Sequence, residues 1–424
     1  MYLITNGQDQ YMSDYPTLEK LFYSDSSSER VEHVKAEAER RLNNPASFRT
    51  GIELSSGELF LATPRELSLL NEKMLRAERK VSQLWRDLPG IARWAYLRSL
   101  IMDEIMFTNE MEGVHSSRRQ IEEALESAEA KRPTKEAKRF REFASLYLEL
   151  TDSNHVYPQT PADIRAIYDK VVADAIDDRD LPDGKLFRAG LVDVKSASQK
   201  TLHTGVGPES KIVEMIDRMI ELVASPDIPQ TYSAILSHFL FEYIHPFYDG
   251  NGRTGRYLLA LYLSEPLSET TVLSLSRVIA ENKSKYYKAF DVTERPMNHA
   301  EATFFVMQII ELIRLAQDSL IESIELKRMQ LDAACACMGR LASECELTDM
   351  AVNVLFVMAQ FHLFGAFSEA SLKDIAGNLE VSTQTARRYL QELEGKGLIA
   401  TVSRKPLKFV LSDKTVEALE MPAA

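Results

Sequence analysis

The segment His245-Pro246-Phe247-Tyr248-Asp249-Gly250-Asn251-Gly252-Arg253-Thr254-Gly255-Arg256 gathers an imidazole, a carboxylate, an amide between two glycines, and two guanidinium groups. His245 has the one nearby side chain that can take a proton near neutral pH without a shifted pKa. Gly250 and Gly252 lack Cβ, so their backbone can come close to phosphate oxygens, and Asn251 adds an amide donor. Arg253 and Arg256 are three residues apart, which predicts one helical face and suits two phosphate groups. Asp249 beside a polyanion would be repelled unless a cation intervened, which implies Mg²⁺. A base, a metal ligand and a phosphate cradle make a phosphoryl-type transfer site. Taken singly, a Gly-Asn-Gly stretch is only a turn and a lone Arg or His is structural. The reading rests on their concentration in one window. There is no GxxxxGK[ST] segment, so this is not a Walker loop.

These residues need a loop that feeds a helix. The pattern predicts helices over residues 232–244 and 253–263, on either side of the loop. The second helix would open on unpaired N–H groups with a positive partial charge, a natural anion site. Leu97, Leu100, Ile101, Glu104, Ile105 and Thr108 keep an i, i+3, i+4 rhythm, which predicts a helix with one buried stripe. Further helices are expected over 121–130, 139–151, 163–175, 211–223 and 284–290, with a long one from 301 through 319 or beyond. Pro182-Asp183-Gly184 marks a turn. Residues 187–204 are rich in Val, Ser, Lys and Gly, with apolar Leu191, Val192 and Val194, and predict a short hairpin among helices.

Hydrophobic residues make up 45% of the chain and charged residues 27%, a balance that lets 424 residues bury a sizeable core. The net charge of -13 gives no global attraction to nucleic acid, so any DNA contact needs a local basic patch. The segment Met1-Tyr2-Leu3-Ile4-Thr5-Asn6 lacks the features of a signal peptide. Residues 350–368 carry no formal charge, but Asn353, Gln360, His362 and Gly365 interrupt them, so a buried helix is expected and no membrane partner. Cys335, Cys337 and Cys345 are odd in number and clustered in one helical region, with no CxxC pair. That pattern fits neither a disulfide framework nor zinc, and points to a reducing cytoplasm.

The first residues, 1–85, read as a mixed region with no role assigned, in which 29–41 is a solvated helix. The block 349–424 has a different texture. Leu372, Ile375, Ala376 and Leu379 mark a short amphipathic helix, and Ser382 is the expected N-cap of a second helix that buries Ala386, Leu390 and Leu393. Residues 398–402 and 409–411 read as strands around Ser403-Arg404-Lys405-Pro406. Helix, helix, hairpin is the order of a winged helix-turn-helix. Its candidate reading helix carries Thr383, Gln384, Thr385, Arg387 and Arg388, and the turn supplies Arg404, Lys405 and Lys408. This patch could meet DNA phosphates, although Glu392 and Glu394 dilute it and such modules also serve protein contacts.

The signature HPFx[DE]GNGRxxR of the Fic family matches His245 to Arg256 at every defined position, and the resemblance extends over residues 91–319. It implies a mainly α fold, a Fic-type helical bundle with a β-hairpin flap, here followed by a C-terminal winged-helix domain. The expected division is 1–85, a Fic domain with inhibitory helix over 86–325, a helical linker over 326–348 and the winged helix over 349–424. Fic proteins mostly transfer AMP from ATP to a Ser, Thr or Tyr hydroxyl of a target protein.

The resemblance makes His245 the base, Asp249 the Mg²⁺ ligand, and Gly250, Asn251 and Gly252 the anion hole. Arg253 would bind the β- and γ-phosphates and Arg256 the γ-phosphate, while Phe247 anchors the loop. Leu191, Val192, Asp193 and Val194 would be the flap edge that holds the target by strand addition. Tyr286 and Tyr287 resemble tyrosines near the adenine, against a plain reading as core aromatics. Thr108-Asn109-Glu110-Met111-Glu112-Gly113 matches the inhibitory pattern [ST]xxxE[GN] of the class with an N-terminal inhibitory helix. Glu112 would then pair with Arg256 and deny it to the γ-phosphate, with Thr108 orienting the carboxylate. In some relatives the matching Glu positions water to remove AMP, which implies a reverse reaction. ATP, a target protein, the chain itself and a second copy in a homodimer are the implied partners. The alternative is a DNA-binding regulator whose Fic domain senses nucleotide. UTP, CDP-choline or kinase chemistry would keep the fold and change the donor or reaction.

Overall fold

Helix follows helix through most of the chain in a computed structural model that describes residues 15–129, 139–152, 155–173, 175–195 and 201–423. The first elements are α1 (Leu18–Ser24), α2 (Arg30–Leu42), strands β1 (Phe48–Leu54) and β2 (Gly57–Leu61), α3 (Arg65–Asp87), α4 (Gly90–Met111), α5 (Arg118–Glu129), α6 (Arg141–Leu150) and α7 (Pro161–Val172). Next come β3 (Asp193–Lys195), β4 (Thr201–Thr204), α8 (Glu209–Ala224), α9 (Gln230–Ile244), α10 (Asn251–Leu263), α11 (Glu269–Val272), α12 (Leu275–Glu281), α13 (Lys283–Glu294) and α14 (Thr303–Glu344). The chain ends with α15 (Asp349–Phe364), β5 (Ala370–Ser371), α16 (Leu372–Asn378), α17 (Thr383–Gly395), β6 (Ile399–Arg404), β7 (Leu407–Leu411) and α18 (Asp413–Ala418). The fold is mainly α, with small antiparallel sheets. Residues 1–6, read for targeting, and the hairpin tip 196–200 lie outside the described residues.

Contacts divide the chain into two compact units, 1–78 with 103–317, and 79–102 with 318–424. In the first, α9 is apolar on nearly every side and is buried from Thr231 to Phe241, the pattern of a central core helix. It packs on α8 and α10. Gly255 permits the close approach of α10, because a Cβ there would lie 2.3 Å from Glu242 Oε1 and 3.0 Å from Phe241 Cδ1. Local chemistry sets the helix starts. Thr160 and Asp163 form a reciprocal capping box at α7 with Pro161 in the first turn, where a missing N–H costs nothing.

In the N-terminal region one element is added and one expectation changes. Residues 48–61 form a hairpin, β1 with β2, and Phe60 bridges to Glu301. The 29–41 segment is helical, but it is not simply a solvated face. Arg41 is buried, 2.9 Å from Glu301 and 2.8 Å from Glu37, with its guanidinium over the Tyr15 ring. Its charge run includes one residue that also reaches partners remote in sequence, Glu301 among them, which the local pattern could not reveal.

In the second unit α15 is the uncharged stretch and is largely buried. Its polar interruptions have partners: Gln360 Oε1 accepts from Ala92 N–H at 3.1 Å, and a His362 ring nitrogen lies 2.8 Å from the Pro422 carbonyl. No helix among the described residues is long and apolar enough to cross a membrane. Ser382 caps α17 by accepting from Thr385 N–H. Strands β6 and β7 pair antiparallel, and β7 pairs with β5, a strand the sequence did not announce. Thr383, Gln384, Arg387 and Arg388 are exposed on α17, and Arg404 and Lys405 at the β6–β7 turn. Lys408 leaves the expected basic patch: it is buried, with Glu369 3.8 Å away.

Candidate active site

The loop between α9 and α10 is built by its own side chains. Phe247 is fully buried, stacked on Tyr168 with ring centroids 3.5 Å apart. Asn251 is also buried: its Oδ1 accepts from Phe247 N–H at 3.0 Å and its Nδ2 donates to Phe247 O at 2.8 Å. The amide thus clasps the loop, and one amide hydrogen remains for an anion. Gly250 takes φ 83° at the N-cap of α10, where a Cβ would meet Val172 Cγ1 at 2.5 Å. Both the left-handed backbone and the space require glycine.

His245 caps the C-terminus of α9 at φ 51°. Its Nδ1 lies 3.2 Å from the Glu242 carbonyl. A carbonyl only accepts, so Nδ1 carries the proton and Nε2 keeps the free lone pair. Burial depresses its pKa to about 4, helped by the charges of His203 and Arg188 and opposed by the Glu242 carbonyl. The ring is therefore neutral at pH 7, the form a base requires.

Arg256 is buried and engaged with the end of α4. Its Nε donates to Thr108 Oγ1 at 2.8 Å, and its Nη2 to Thr108 O at 3.0 Å and to Glu112 Oε1 at 2.8 Å. Burial works against the guanidinium charge, but Glu112 outweighs it and the pKa rises. Glu112 also sits against the first turn of α10: a Cβ on Gly252 would lie 2.2 Å from Glu112 Oε1. A carboxylate thus occupies the anion-attracting start of the helix.

Arg253 is wholly buried, and its three guanidinium nitrogens find no hydrogen-bond acceptor among the described residues. Asp249 lies 3.6 Å from its Nη2. A buried guanidinium without acceptors is costly, and an incoming phosphate would relieve it. Asp249 receives Gly250 N–H at 2.6 Å, and its side chain is 45% exposed. One accessible carboxylate suits Mg²⁺, which takes one or two protein oxygens and fills its shell from phosphates and water.

A cavity of about 810 Å³ brings together Glu112, Val194, His245, Gly252, Arg256, Tyr286 and Tyr287. Asp249 and Gly250 of the adjoining loop, and Asn251 and Arg253 of the first turn of α10, do not line it, and Thr108 lies buried behind Arg256. Tyr286 is buried and its hydroxyl is 2.7 Å from His238 Nε2. His238 Nδ1 faces the Gly255 carbonyl at 3.0 Å, so Nε2 accepts from the phenol and Tyr286 has no hydroxyl hydrogen to spare for a ligand. Tyr287 is 49% exposed and presents its ring to the cavity. On the flap, Asp193 and Val194 face Thr204 and His203 across β3–β4, and Leu191 is exposed.

Sequence reasoning missed several lining residues. His203 joins Glu294 at 2.8 Å and the Tyr243 carbonyl at 2.6 Å, and these contacts raise its pKa despite burial. Glu242 is pushed up to about 8, mainly by burial, and one of its carboxyl oxygens has no partner among the described residues. Ser55, on the β1–β2 turn, lines the same cavity and meets Tyr243. No local pattern marks any of them.

A neutral imidazole, a helix start that attracts anions and buried guanidinium groups have the chemistry to receive a phosphorylated group beside a base. Residues 158–263 match the Fic/DOC family model, so the chain carries a Fic/DOC domain, and that match contains the whole of His245 to Arg256. That domain match supports a Fic-type transferase in general terms. The chain is similar to a Fic family protein from Desulfovibrio desulfuricans, at 17% identity over 80% of this chain and 96% of that one, TM-score 0.46. It is similar to Fic-1 from C. elegans, at 18% identity over 73% of this chain and 81% of that one, TM-score 0.45. A Fic domain containing signaling protein from Bacteroides thetaiotaomicron is similar at 17% identity over 59% of this chain and 95% of that one, TM-score 0.43.

Proposed function

We propose that the chain transfers AMP from ATP to a hydroxyl of a target protein, and that Glu112 holds it in check. The observation that carries this is one cavity containing both a base with a free Nε2 and an anion site already taken by an internal carboxylate. The target hydroxyl oxygen attacks the α-phosphorus while His245 Nε2 accepts its proton. The bond to the bridging oxygen breaks and pyrophosphate leaves. Gly250 and Gly252 bring the start of α10 to the phosphates, and Arg253 and Arg256 balance their charge. Mg²⁺, held by Asp249, would supply charge neutralisation on the phosphate chain. Tyr287 offers its ring to the base, and the Leu191 to Val194 edge offers backbone groups to the target.

With Glu112 on Arg256, the γ-phosphate loses its partner and the α-phosphate is poorly aimed. The test compares wild type, Glu112→Gly and His245→Ala with Mg²⁺ and ATP by intact mass. A gain of AMP by Glu112→Gly over wild type, lost again in a Glu112→Gly, His245→Ala double variant, is expected. Equal labelling of all forms would sink the proposal. A second reading, DNA contact by the C-terminal module, draws on the exposure of Arg387, Arg388, Arg404 and Lys405. Salt-sensitive binding to random duplex DNA tests it.

A further inference from the structure

A buried arginine outside the signature joins the base to the flap. Arg188 is fully buried, yet its donors all reach backbone carbonyls. Its Nε donates to His245 O at 2.8 Å, and its Nη2 to Ile244 O at 3.2 Å and Val206 O at 2.7 Å. Its Nη1 donates to Gly190 O at 2.5 Å, and its own N–H to Pro246 O at 3.1 Å. Ile244 and His245 present the last carbonyls of α9, where a cation is favoured by unpaired acceptors and the helix dipole. Gly190 lies in the first arm of the flap, and Val206 follows the end of its second arm by two residues. Val206 N–H returns to Ile244 O at 3.0 Å, and Gly190 N–H donates to the Tyr248 hydroxyl at 2.9 Å.

The packing leaves no slack. A Cβ on Gly205 would lie 2.4 Å from Arg188 Nη2, 3.1 Å from His245 Cβ and 3.1 Å from Val192 Cγ1. His245 is also held at positive φ, a conformation that a non-glycine residue keeps only when its surroundings enforce it. Arg188 grips that residue's own carbonyl.

We infer that Arg188 is a positioning residue: its fork fixes the His245 backbone and both arms of the flap as one rigid unit, so the base and the docked target hydroxyl keep a set spacing. It touches neither substrate nor reacting atoms. Lysine has the charge but not the planar fork, and cannot reproduce four carbonyl contacts from one nitrogen.

This rests on the proposed transfer reaction, and the experiment separates the two. Arg188→Lys, Arg188→Met and Gly205→Ala are made in Glu112→Gly, and each is followed by a thermal melt, by calorimetric binding of MgATP and by an NMR titration of the His245 ring. AMP transfer to the chain itself or to a target is measured alongside. For folded variants we expect the His245 titration midpoint to move up from about 4 toward 6.5, with roughly tenfold to a hundredfold loss in kcat and a raised KM for target. MgATP binding should stay within about twofold, since no contact from Arg188 to the phosphate loop beyond the backbone is involved. If Arg188→Met does not fold, Arg188→Lys decides the matter. A His245 midpoint and a transfer rate both unchanged in Arg188→Lys would overturn the assignment. A parent that transfers no AMP would remove the proposed reaction, while the NMR arm would still decide whether Arg188 sets the histidine.

Discussion

At His245 the proton inventory sets what the ring can do. With Nδ1 bound to a carbonyl, Nε2 is ready whenever the ring is neutral. Because burial lowers the pKa to about 4, the neutral form prevails above that value. In Glu112→Gly, kcat/KM for the target should therefore hold nearly level from pH 8 down to about 5.5 and fall only on approach to 4. A half-loss near 6.5 would mean that burial does not govern the ring. Removing the base in His245→Ala should cost on the order of a hundredfold or more in transfer. Glu112→Gly should raise transfer by about a hundredfold, the cost of misplacing the α-phosphate by an ångström. Both are read as the rate of AMP incorporation by intact mass.

The end of helix α4 carries the proposed control as an element. Thr108 and Glu112 lie one turn apart and share Arg256, so the helix offers a preformed receptor for that guanidinium. Thr108→Val leaves Arg256 Nε without its acceptor. A lost hydrogen bond to a charged group is worth about 1.5–3 kcal/mol, so roughly tenfold activation is expected, smaller than that of Glu112→Gly. One turn earlier, buried Glu104 accepts from Ser276 N–H and its hydroxyl, and burial still pushes its pKa up to about 7. The folded protein then holds a proton that the unfolded chain, titrating near 4.5, has released. This contribution is full below pH 4.5 and is lost as pH rises through 7, by up to about 3 kcal/mol. Glu104→Gln should flatten that part of the stability profile, as seen by denaturant unfolding at pH 5 and pH 8.

For the molecule as a whole, the net charge of -13 argues against broad attraction to DNA, so a contact must be local. Arg387 and Arg388 are exposed and adjacent on α17. If they neutralise phosphates, the Arg387→Ala, Arg388→Ala double variant should reduce the slope of log K against log salt by about 2. Absence of any duplex binding by wild type at low salt would assign the module to a role without DNA.

The sequence by itself determined the parts whose chemistry is local. The signature from His245 to Arg256 lies on consecutive residues, so its glycines, base and arginines could be read without a fold. The rhythm of apolar positions located α9, α10 and the helices of the C-terminal block, and Ser382 announced its cap. Thr108 and Glu112 were legible as one helical repeat, although their meeting with Arg256 came only through the resemblance. Tertiary structure alone decided which way each charge faces. Arg41, Arg188 and Lys408 look like solvated side chains along the chain, yet each is buried on partners remote in sequence. Ser55, His203 and Glu242 reach the cavity because hairpin, flap and helix converge there. Such convergence depends on long-range packing, whose energy is spread over many contacts and leaves no periodic trace in the residues that take part.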